Sequence, residues 1–343
     1  MRIGILTGGG DAPGLNAAIR AVARPALADG ATVLGVRNGW AGMLGEGDLI
    51  PLERRHVSGI LQIGGTLLGS SRTNPLKTDG GLDQVRAVLD RNRLDSLVAI
   101  GGDDTLSVAA GLADIGAPVV GVPKTMDNDL AVTEYCIGFD TAVSIVTEAL
   151  DRLHTTASSH HRVMVVEVMG RDTGWVAVEG GLAGGADLIV IPEFPVTVDE
   201  IVDHLGARQR QGSDFSIIVV AEGAQLEGLD AGEGGGRVDA FGHAQLSRRG
   251  VGERLATVVE ERTGHESRVT VLGHTQRGGS PTAYDRIWAT HVGHAAWTLV
   301  RAGDFGRMPV KRGDGVDIAA IRDVVAEQRR VPRALYDLAR VFY

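Results

Sequence analysis

Short apolar runs alternate with helical patterns along most of this chain, and no other feature constrains its fold as strongly. The runs with the length and composition of buried strands are 2–6, 32–36, 97–100, 118–122, 163–168, 188–191, 216–221 and 269–272. The helical patterns between them cover 15–28, 81–91, 105–115, 140–153, 198–208 and 250–262. This alternation is typical of βαβ units. It predicts an α/β fold with doubly wound, mostly parallel sheets that helices cover on both faces.

Composition narrows the class of protein. The 343 residues suffice for a sizeable core and suggest two domains, and 43% of them are hydrophobic, as in ordinary globular proteins. The net charge of −9 argues against a nucleic-acid partner, and no apolar run reaches membrane-spanning length. Cys136 is the only cysteine, which fits a reducing compartment. Because Met1 leads directly into a strand, without room for a signal peptide, we expect a cytoplasmic protein.

Glycine turns follow two of the predicted strands at the end where ligands of such sheets gather. Residues 8–10 are three glycines, and residues 101–102 are two glycines that precede Asp103 and Asp104. A glycine turn before a helix directs backbone N–H groups at a bound anion. The first turn is neither a Gly-Lys-[Ser/Thr] phosphate loop nor a dinucleotide fingerprint, because Pro13 stands where the last fingerprint glycine belongs.

Each polar loop also has a purely structural explanation. The first turn could be a tight turn only, and Asp103 and Asp104 could both cap the following helix. Lys124, Thr125 and Asp127 follow a third strand. Taken by themselves, such residues belong to a solvated polar loop more often than to a catalytic site. Because three polar loops follow three strands, a shared anion site is the better interpretation.

Basic side chains recur beside glycines and at strand ends further along the chain. They are Arg72, Arg162, Arg171, Arg268, His274 and Arg277. A single arginine is usually a surface charge, but this placement in an acidic protein predicts bidentate phosphate recognition. The remaining histidines at 154, 160 and 161 lack the companions of a zinc site and are interpreted as structural or surface residues.

With these residues assembled, the chain resembles the bacterial-type phosphofructokinases. The matching motifs are GGGDAPGLNAAIR (8–20), GGTLLGSSR (64–72), GGDDT (101–105), PKTMDND (123–129), SSHHRVMVVEVMGRDTGW (158–175), AEG (221–223) and RVTVLGHTQRGGSP (268–281). The resemblance implies two doubly wound α/β domains, with an active site between them that a neighbouring subunit completes. A donor-binding domain would comprise 1–138 and about 276–325, and a fructose 6-phosphate-binding domain 139–275 and about 326–343.

The resemblance also implies roles for single residues. Asp127 would be the general base that takes the proton from the 1-hydroxyl of fructose 6-phosphate, and Asp103 would hold Mg²⁺. The groups at the phosphoryl donor would be Gly10, Arg72, Asp104 and Lys124, with Thr125 beside the transferring phosphoryl. The groups at the sugar would be Met169, Gly170, Arg171 and Glu222. The 6-phosphate would be bound by Arg162 and Arg268 of the adjacent subunit, with His274 and Arg277 completing the pocket.

Two positions indicate which donor is used. ATP-using members of the family have glycine where Asp104 and Lys124 stand, whereas pyrophosphate-using members resemble this sequence. A carboxylate at Asp104 would lie where the α-phosphate of ATP must go, and two like charges about 4 Å apart cost roughly 4 kcal/mol at an effective dielectric near 20. That is close to a thousandfold in affinity at about 1.4 kcal/mol per decade. The resemblance therefore implies reversible transfer from pyrophosphate to fructose 6-phosphate.

The sequence also allows other interpretations. An ATP-dependent 6-phosphofructokinase is the nearest alternative, because some relatives combine the lysine with a glycine at the position of Asp104. A dinucleotide oxidoreductase is a second alternative, but this chain lacks the last fingerprint glycine of that class. A sugar-phosphate sensor is a third, but a sensor would not need Asp103 and Asp127, which are both present. We expect small-molecule substrates, no nucleic-acid or membrane partner, and a homo-oligomer that is at least a dimer and by resemblance a tetramer. The glycine-rich segment 223–245 is predicted to be an exposed excursion without an assigned role.

Overall fold

The computed structural model describes residues 1–229 and 250–343, and these residues form two compact units. Unit 1 comprises Met1–Thr141 and Arg277–Arg329, and unit 2 comprises Ala142–Gln276 and Arg330–Tyr343. The resemblance implies domain boundaries near residues 138, 275 and 325. The predicted α/β fold with doubly wound, mostly parallel sheets is confirmed. Which ligand each unit binds stays a prediction.

Strands and helices alternate along the chain as expected. The strands are β1 (Arg2–Thr7), β2 (Thr32–Val36), β3 (Leu49–Leu52), β4 (Ser96–Gly101), β5 (Val119–Pro123), β6 (Val163–Val168), β7 (Leu188–Val190), β8 (Ser216–Ala221), β9 (Ser267–Val271), β10 (Arg307–Arg312) and β11 (Gly315–Ala320). The helices are α1 (Leu15–Ala28), α2 (Gly81–Arg91), α3 (Asp103–Asp114), α4 (Phe139–His160), α5 (Trp175–Ala183), α6 (Val198–Arg210), α7 (Val251–Thr263), α8 (Ala283–Ala302), α9 (Ile321–Val324) and α10 (Arg333–Arg340).

Unit 1 is built on a seven-stranded sheet in the order β11-β10-β5-β4-β1-β2-β3. The edge strands β3 and β11 run antiparallel to their neighbours, and the strands between them are parallel. The chain moves outward from β1 to β2 on one side and from β4 to β5 on the other. The boundary between β1 and β4 is therefore a topological switch point, where ligands of open α/β sheets bind.

The register of unit 1 brings its polar loops to one level. Thr7 pairs with Ile100 across β1 and β4, and Gly101 pairs with Pro123 across β4 and β5. All three strands are buried along most of their length, so their ends are fixed by the core. The loops that follow β1, β4 and β5 therefore start side by side at the carboxyl edge of the sheet.

Unit 2 has a four-stranded parallel sheet in the order β7-β8-β6-β9. At its carboxyl edge, Val168 pairs with Ala221 and Glu167 pairs with Val271. In the tail of the chain, α10 packs on unit 2 through Tyr336, whose hydroxyl donates to the Ile189 carbonyl at 3.1 Å. In the predicted excursion at 223–245, residues 230–245 lie outside the described residues.

Several elements differ from the sequence-based expectation. The strand expected at 269–272 begins earlier, at Ser267, and the helix expected at 140–153 continues to His160. The apolar and helical patterns did not predict β3, α5, α8, β10, β11 or the short α9. Of the helices in residues 1–229 and 250–343, none has both the length and the apolar character needed to cross a membrane.

Candidate active site

The first glycine turn, residues 8–10, is pressed against α3. The Gly8 amide donates to the Ile100 carbonyl at 3.0 Å, which fixes the turn to the end of β4. A Cβ added to Gly8 would lie 2.5 Å from the Thr105 hydroxyl oxygen, closer than real contacts allow. Gly9 has a φ of 75°, which L side chains rarely adopt. Glycine is therefore required at these two positions by space and by backbone conformation.

A second loop, residues 63–72, is held beside this turn. The side-chain oxygen of the buried Asn16 accepts from the Leu67 amide at 2.8 Å, and the Ser70 hydroxyl donates to the Gly9 carbonyl at 2.5 Å. Arg72 ends the loop and is exposed. The two motifs that carry Gly10 and Arg72, both predicted at the phosphoryl donor, are thus joined by direct hydrogen bonds.

Lys124 supports the first glycine turn from the end of β5. Its side chain is only 2% exposed, and its ammonium donates to the Gly8 carbonyl at 3.1 Å and to the Gly10 carbonyl at 2.5 Å. The resemblance assigns this ammonium to the donor itself. In the structure it shapes the turn and adds a buried positive charge next to it, where an anion is stabilised.

Asp103 and Asp104 are the first two residues of α3. The N-cap is Gly102, which has no side chain to offer, so neither carboxylate occupies the capping position. Asp103 is exposed and accepts from the Ser107 hydroxyl at 3.5 Å, while Asp104 is half-buried. Both carboxylates are stabilised by the positive end of the helix dipole. Among residues 1–229 and 250–343, three or more His, Cys, Asp or Glu side chains do not cluster in a way that could hold a metal ion.

The carboxylate loop, residues 124–129, follows β5 and is almost entirely buried. The Lys124 amide donates to the Gly101 carbonyl at 2.9 Å, which ties the loop to the second glycine turn. The Asp127 amide donates to the Thr125 hydroxyl oxygen at 3.1 Å, and that hydroxyl lies 3.3 Å from one carboxylate oxygen of Asp127. Thr125 therefore orients the carboxylate that the resemblance assigns as general base.

Asp129 is a second buried carboxylate in this loop, and the resemblance assigns it no role. It is 9% exposed and accepts from the Gln328 side-chain amide at 3.2 Å. Burial and the negative charge of Asp127 raise its pKa to about 6. The motif PKTMDND already contains it, but its contact with Gln328 spans 199 positions and leaves no local signal in the sequence.

Arg277 lies in unit 1, against the first glycine turn. Its guanidinium donates to the Asp11 carbonyl at 3.1 Å. A Cβ on Gly10 would come within 2.7 Å of the same guanidinium, so glycine at that position permits the close approach. The resemblance assigns Arg277 to the 6-phosphate pocket, whereas in the structure its charge lies beside Gly10, one of the predicted donor residues.

In unit 2, Glu222 holds the arginine turn, residues 169–171, at the carboxyl edge of the sheet. Its carboxylate accepts from the Gly170 amide at 3.4 Å and from the Arg171 amide at 3.2 Å, and it is 6% exposed. Arg171 has a φ of 51°, a conformation that costs energy for a residue with a side chain. Met169 in this turn is half-buried, and His274, which follows β9 at the same edge, is exposed.

Arg162 and Arg268 lie at the opposite, amino edge of the unit 2 sheet. Arg162 directly precedes β6, and Arg268 is the second residue of β9. Both pair with Glu266, in the case of Arg162 at 2.8 Å from guanidinium to carboxylate. The hydrogen bond from Arg162 is the largest cause that lowers the pKa of Glu266. The structure thus brings the two arginines together, but separates them from Glu222 by the length of β6.

Two glycine turns and a buried carboxylate loop at one switch point define a phosphoryl-binding α/β protein. The family model described as Phosphofructokinase matches residues 2–300, and the chain belongs to the phosphofructokinase family. The resemblance found in the sequence is therefore confirmed.

Relatives named for both donors are similar to the chain. A pyrophosphate–fructose 6-phosphate 1-phosphotransferase of Amycolatopsis methanolica is 55% identical, and the match covers 100% of both chains. An ATP-dependent 6-phosphofructokinase 3 of Streptomyces coelicolor is 48% identical and matches over 98% of both. The crystal structure of a pyrophosphate-dependent phosphofructokinase from Marinobacter aquaeolei has a TM-score of 0.82 at 25% identity, covering 97% of this chain and 86% of that one.

Proposed function

We propose that this protein transfers a phosphoryl group reversibly from pyrophosphate to the 1-hydroxyl of fructose 6-phosphate, giving fructose 1,6-bisphosphate and phosphate. The observation that carries the choice of donor is the pair of charged residues at the switch point. Lys124 is buried under the first glycine turn, and Asp104 stands in the first turn of α3. Full-length relatives that are named for pyrophosphate support the same choice.

The residues of the carboxylate loop supply the acid–base chemistry. Asp127 takes the proton from the attacking hydroxyl, and Thr125, which is hydrogen-bonded to it, fixes the direction of the carboxylate. The first glycine turn, which Lys124 supports with two hydrogen bonds and a buried positive charge, binds and orients the pyrophosphate. In unit 2, Glu222 holds the backbone of the arginine turn, which presents Arg171 to the sugar phosphate.

Asp103 fits a role in holding Mg²⁺. Its carboxylate is exposed at the carboxyl end of β4, and Mg²⁺ is usually bound through one or two carboxylates together with substrate phosphates and water. When bound, the ion supplies positive charge that neutralises the phosphates. We expect chelation of Mg²⁺ to abolish turnover and added Mg²⁺ to restore it, measured as the initial rate before and after treatment with a chelator.

ATP as donor is the second candidate, because the Streptomyces coelicolor relative named for ATP is almost as similar as those named for pyrophosphate. Asp104 argues against it. The carboxylate would repel an α-phosphate bound over the N-terminus of α3, by at most about 4 kcal/mol and less where water screens the half-buried side chain.

Initial rates of fructose 1,6-bisphosphate formation with equal concentrations of pyrophosphate and ATP decide between the donors. Turnover with pyrophosphate and little with ATP is the expected result, and turnover with ATP alone would overturn the assignment. The double variant Asp104→Gly with Lys124→Gly should lose pyrophosphate turnover and gain some with ATP. If that variant kept full pyrophosphate activity, the donor argument would be wrong even within the family. Asp127→Asn is the matched control, because it should lower turnover with either donor by a similar factor, of about 10²–10⁴.

The partner predictions stay proposals. The site supports small phosphorylated substrates, and the separation of Arg162 and Arg268 from the arginine turn supports the homo-oligomer that the resemblance implies. Cytoplasmic location likewise stays a prediction from the sequence.

A further inference from the structure

Residues 328–331, here called the strap, contact the carboxylate loop from a distant part of the chain. Leu130 and Gln328 form an antiparallel bridge, and the Arg329 amide donates to the Asp129 carbonyl at 2.8 Å. Just before the strap, the Val324 carbonyl accepts from the Ala131 amide at 3.1 Å. The backbone that follows Asp127 is therefore paired with this segment like a short strand.

Both side chains of the strap in unit 1 add to this pairing. The Gln328 amide donates to the Asp129 carboxylate at 3.2 Å, and the Arg329 guanidinium donates to the Asn128 carbonyl at 3.2 Å. Both strap side chains are half-buried, and both loop residues are buried. Hydrogen bonds to charged groups in such surroundings are worth more than those at the surface.

The loop needs this support because its backbone is unusual. Asn128 has a φ of 52°, in the left-handed region that residues with side chains adopt at a cost. Its side-chain oxygen accepts from the Cys136 amide at 3.0 Å, which fixes one side of the turn. On the amino-terminal side, Thr125 fixes Asp127. Gln328 and Arg329 add contacts next to Asp127 on its carboxyl-terminal side.

The strap continues into unit 2 through consecutive peptide bonds. The Val331 amide donates to the Glu193 carboxylate at 3.1 Å, and the same oxygen accepts from the Gly174 amide at 3.0 Å. Gly174 is the N-cap of α5 and follows the arginine turn by three residues. The chain that holds the carboxylate loop in unit 1 is therefore anchored in unit 2 at the start of the helix that follows Arg171.

We infer that Gln328 and Arg329 are positioning residues, which hold the carboxylate loop so that Asp127 meets the attacking hydroxyl. The inference rests on the proposed function, because it assigns these residues to the base of that reaction. A displacement of about 1 Å in a reacting group can cost a hundredfold in rate. Loss of the strap contacts should therefore lower kcat more than it changes either substrate KM.

The test compares Gln328→Met and Arg329→Met with Arg330→Met, the neighbouring exposed arginine, as matched control. We expect about a tenfold to hundredfold lower kcat for the first two, with each KM within about threefold of wild type. Arg329→Lys should recover part of the loss, and Arg330→Met should behave as wild type. Unchanged kcat in both strap variants, or a loss confined to KM, would overturn the inference.

The same variants in an Asp127→Asn background separate positioning of the base from general damage. If the strap acts through Asp127, Arg329→Met should add little to the loss already caused by Asp127→Asn. Multiplied losses would overturn the inference while leaving the proposed function intact. A wild-type protein without turnover would instead refute the proposed function.

Amide hydrogen exchange supplies a readout that does not depend on turnover. Peptides that cover residues 125–137 should exchange faster in Arg329→Met and Gln328→Met, and at the wild-type rate in Arg330→Met. Unchanged exchange in both Gln328→Met and Arg329→Met would overturn the inference even if no assay condition gave activity.

Discussion

At the scale of single residues, the lysine under the first glycine turn is the most unusual feature of the site. A lysine that is 2% exposed is normally paired with acceptors, and here two of its acceptors are backbone carbonyls of the turn. Its ammonium compensates the partial negative charge of those oxygens, which would otherwise face a bound anion. The residue therefore acts on the donor through the shape and the charge of the turn.

Lys124→Met should weaken donor binding more than sugar binding. A hydrogen bond to a charged group contributes about 1.5–3 kcal/mol, so we expect the KM for pyrophosphate to rise roughly tenfold to hundredfold. The KM for fructose 6-phosphate should change much less, because this side chain supports the turn in unit 1. Steady-state kinetics with each substrate varied in turn measure both values. Lys77→Met, at an exposed position, is the control, and a larger effect on the sugar would contradict the assignment.

Asp129 makes stability depend on pH with a predictable sign. Burial and repulsion from Asp127 raise its pKa in the folded protein to about 6, compared with about 3.9 for an unfolded chain. Because the folded protein holds this proton more tightly, the contribution to stability is full below about pH 4 and is lost as the pH rises through about 6. A pKa difference of about two units between the folded and unfolded protein changes the free energy of unfolding by at most about 3 kcal/mol.

Asp129→Asn removes this titration. Between about pH 4 and pH 8, the free energy of unfolding of the wild type should therefore fall by about 2–3 kcal/mol relative to the variant. Chemical denaturation at several pH values and at one protein concentration measures the difference. Asp323→Asn makes the same chemical change at an exposed position and should follow the wild type. Parallel pH curves for wild type and Asp129→Asn would show that Asp129 does not titrate in this window.

At the scale of elements, the start of α4 is held by a carboxylate from α8. Asp285 is fully buried and accepts from the Tyr135 hydroxyl at 3.1 Å, the Gly138 amide at 2.8 Å and the Thr141 amide at 2.9 Å. The Thr141 hydroxyl donates to the same carboxylate at 2.5 Å. These donors include amides at the N-terminus of α4, where a negative charge is also favoured by the helix dipole.

Asp285→Ala should be strongly destabilising. It leaves buried donors without an acceptor, and breaking such a buried charged network costs about 3–5 kcal/mol. Denaturation followed by circular dichroism measures the loss. Asp323→Ala, at an exposed position, is the control and should change stability by less than about 0.5 kcal/mol. A loss below about 1 kcal/mol for Asp285→Ala would mean that the N-terminus of α4 is held by other contacts.

Elements that follow a simple period were predictable from the sequence, and those set by tertiary packing were not. β1, α1 and β6 have the bounds expected from their apolar patterns within about one residue. α5 was missed because it is apolar on nearly every side, so a period does not show. α8 was missed because its buried face includes a glycine, Gly293, which interrupts the apolar pattern. A Cβ added at this position would lie 2.5 Å from the Ala21 side chain on α1.

The residues of the candidate site likewise fall into a group that the sequence predicts and a group that it does not. Gly8, Asp103 and Asp127 were predictable because each lies in the short segment just after a strand of recognisable pattern. The supporting contacts were not, because they join residues far apart in the chain. Asn16 reaches Leu67 across 51 positions, and Gln328 reaches Asp129 across 199. Their side chains are ordinary amides, for which a local pattern predicts no partner.

At the scale of the whole molecule, the two edges of the unit 2 sheet carry different parts of the predicted sugar site. Arg162 and Arg268 lie at the amino edge, and the arginine turn, Glu222 and His274 lie at the carboxyl edge. β6 has six residues, so the edges are about 20 Å apart at 3.3 Å per residue. One chain cannot place both edges on one sugar phosphate. If all these residues contact the substrate, a second copy must supply Arg162 and Arg268.

Mixing two inactive variants tests this shared site. Asp127→Asn removes the proposed base, and Arg162→Ala removes a proposed phosphate ligand from the opposite edge. In a random oligomer of both, about one site in four combines an intact base from one chain with an intact Arg162 from the other, so up to about a quarter of wild-type turnover should return. The control mixture of Asp127→Asn with Asp103→Asn should stay inactive, because both changes fall in one chain's half of the site. If turnover returned in neither mixture, Arg162 would act in the same chain as the base or would lie outside the site.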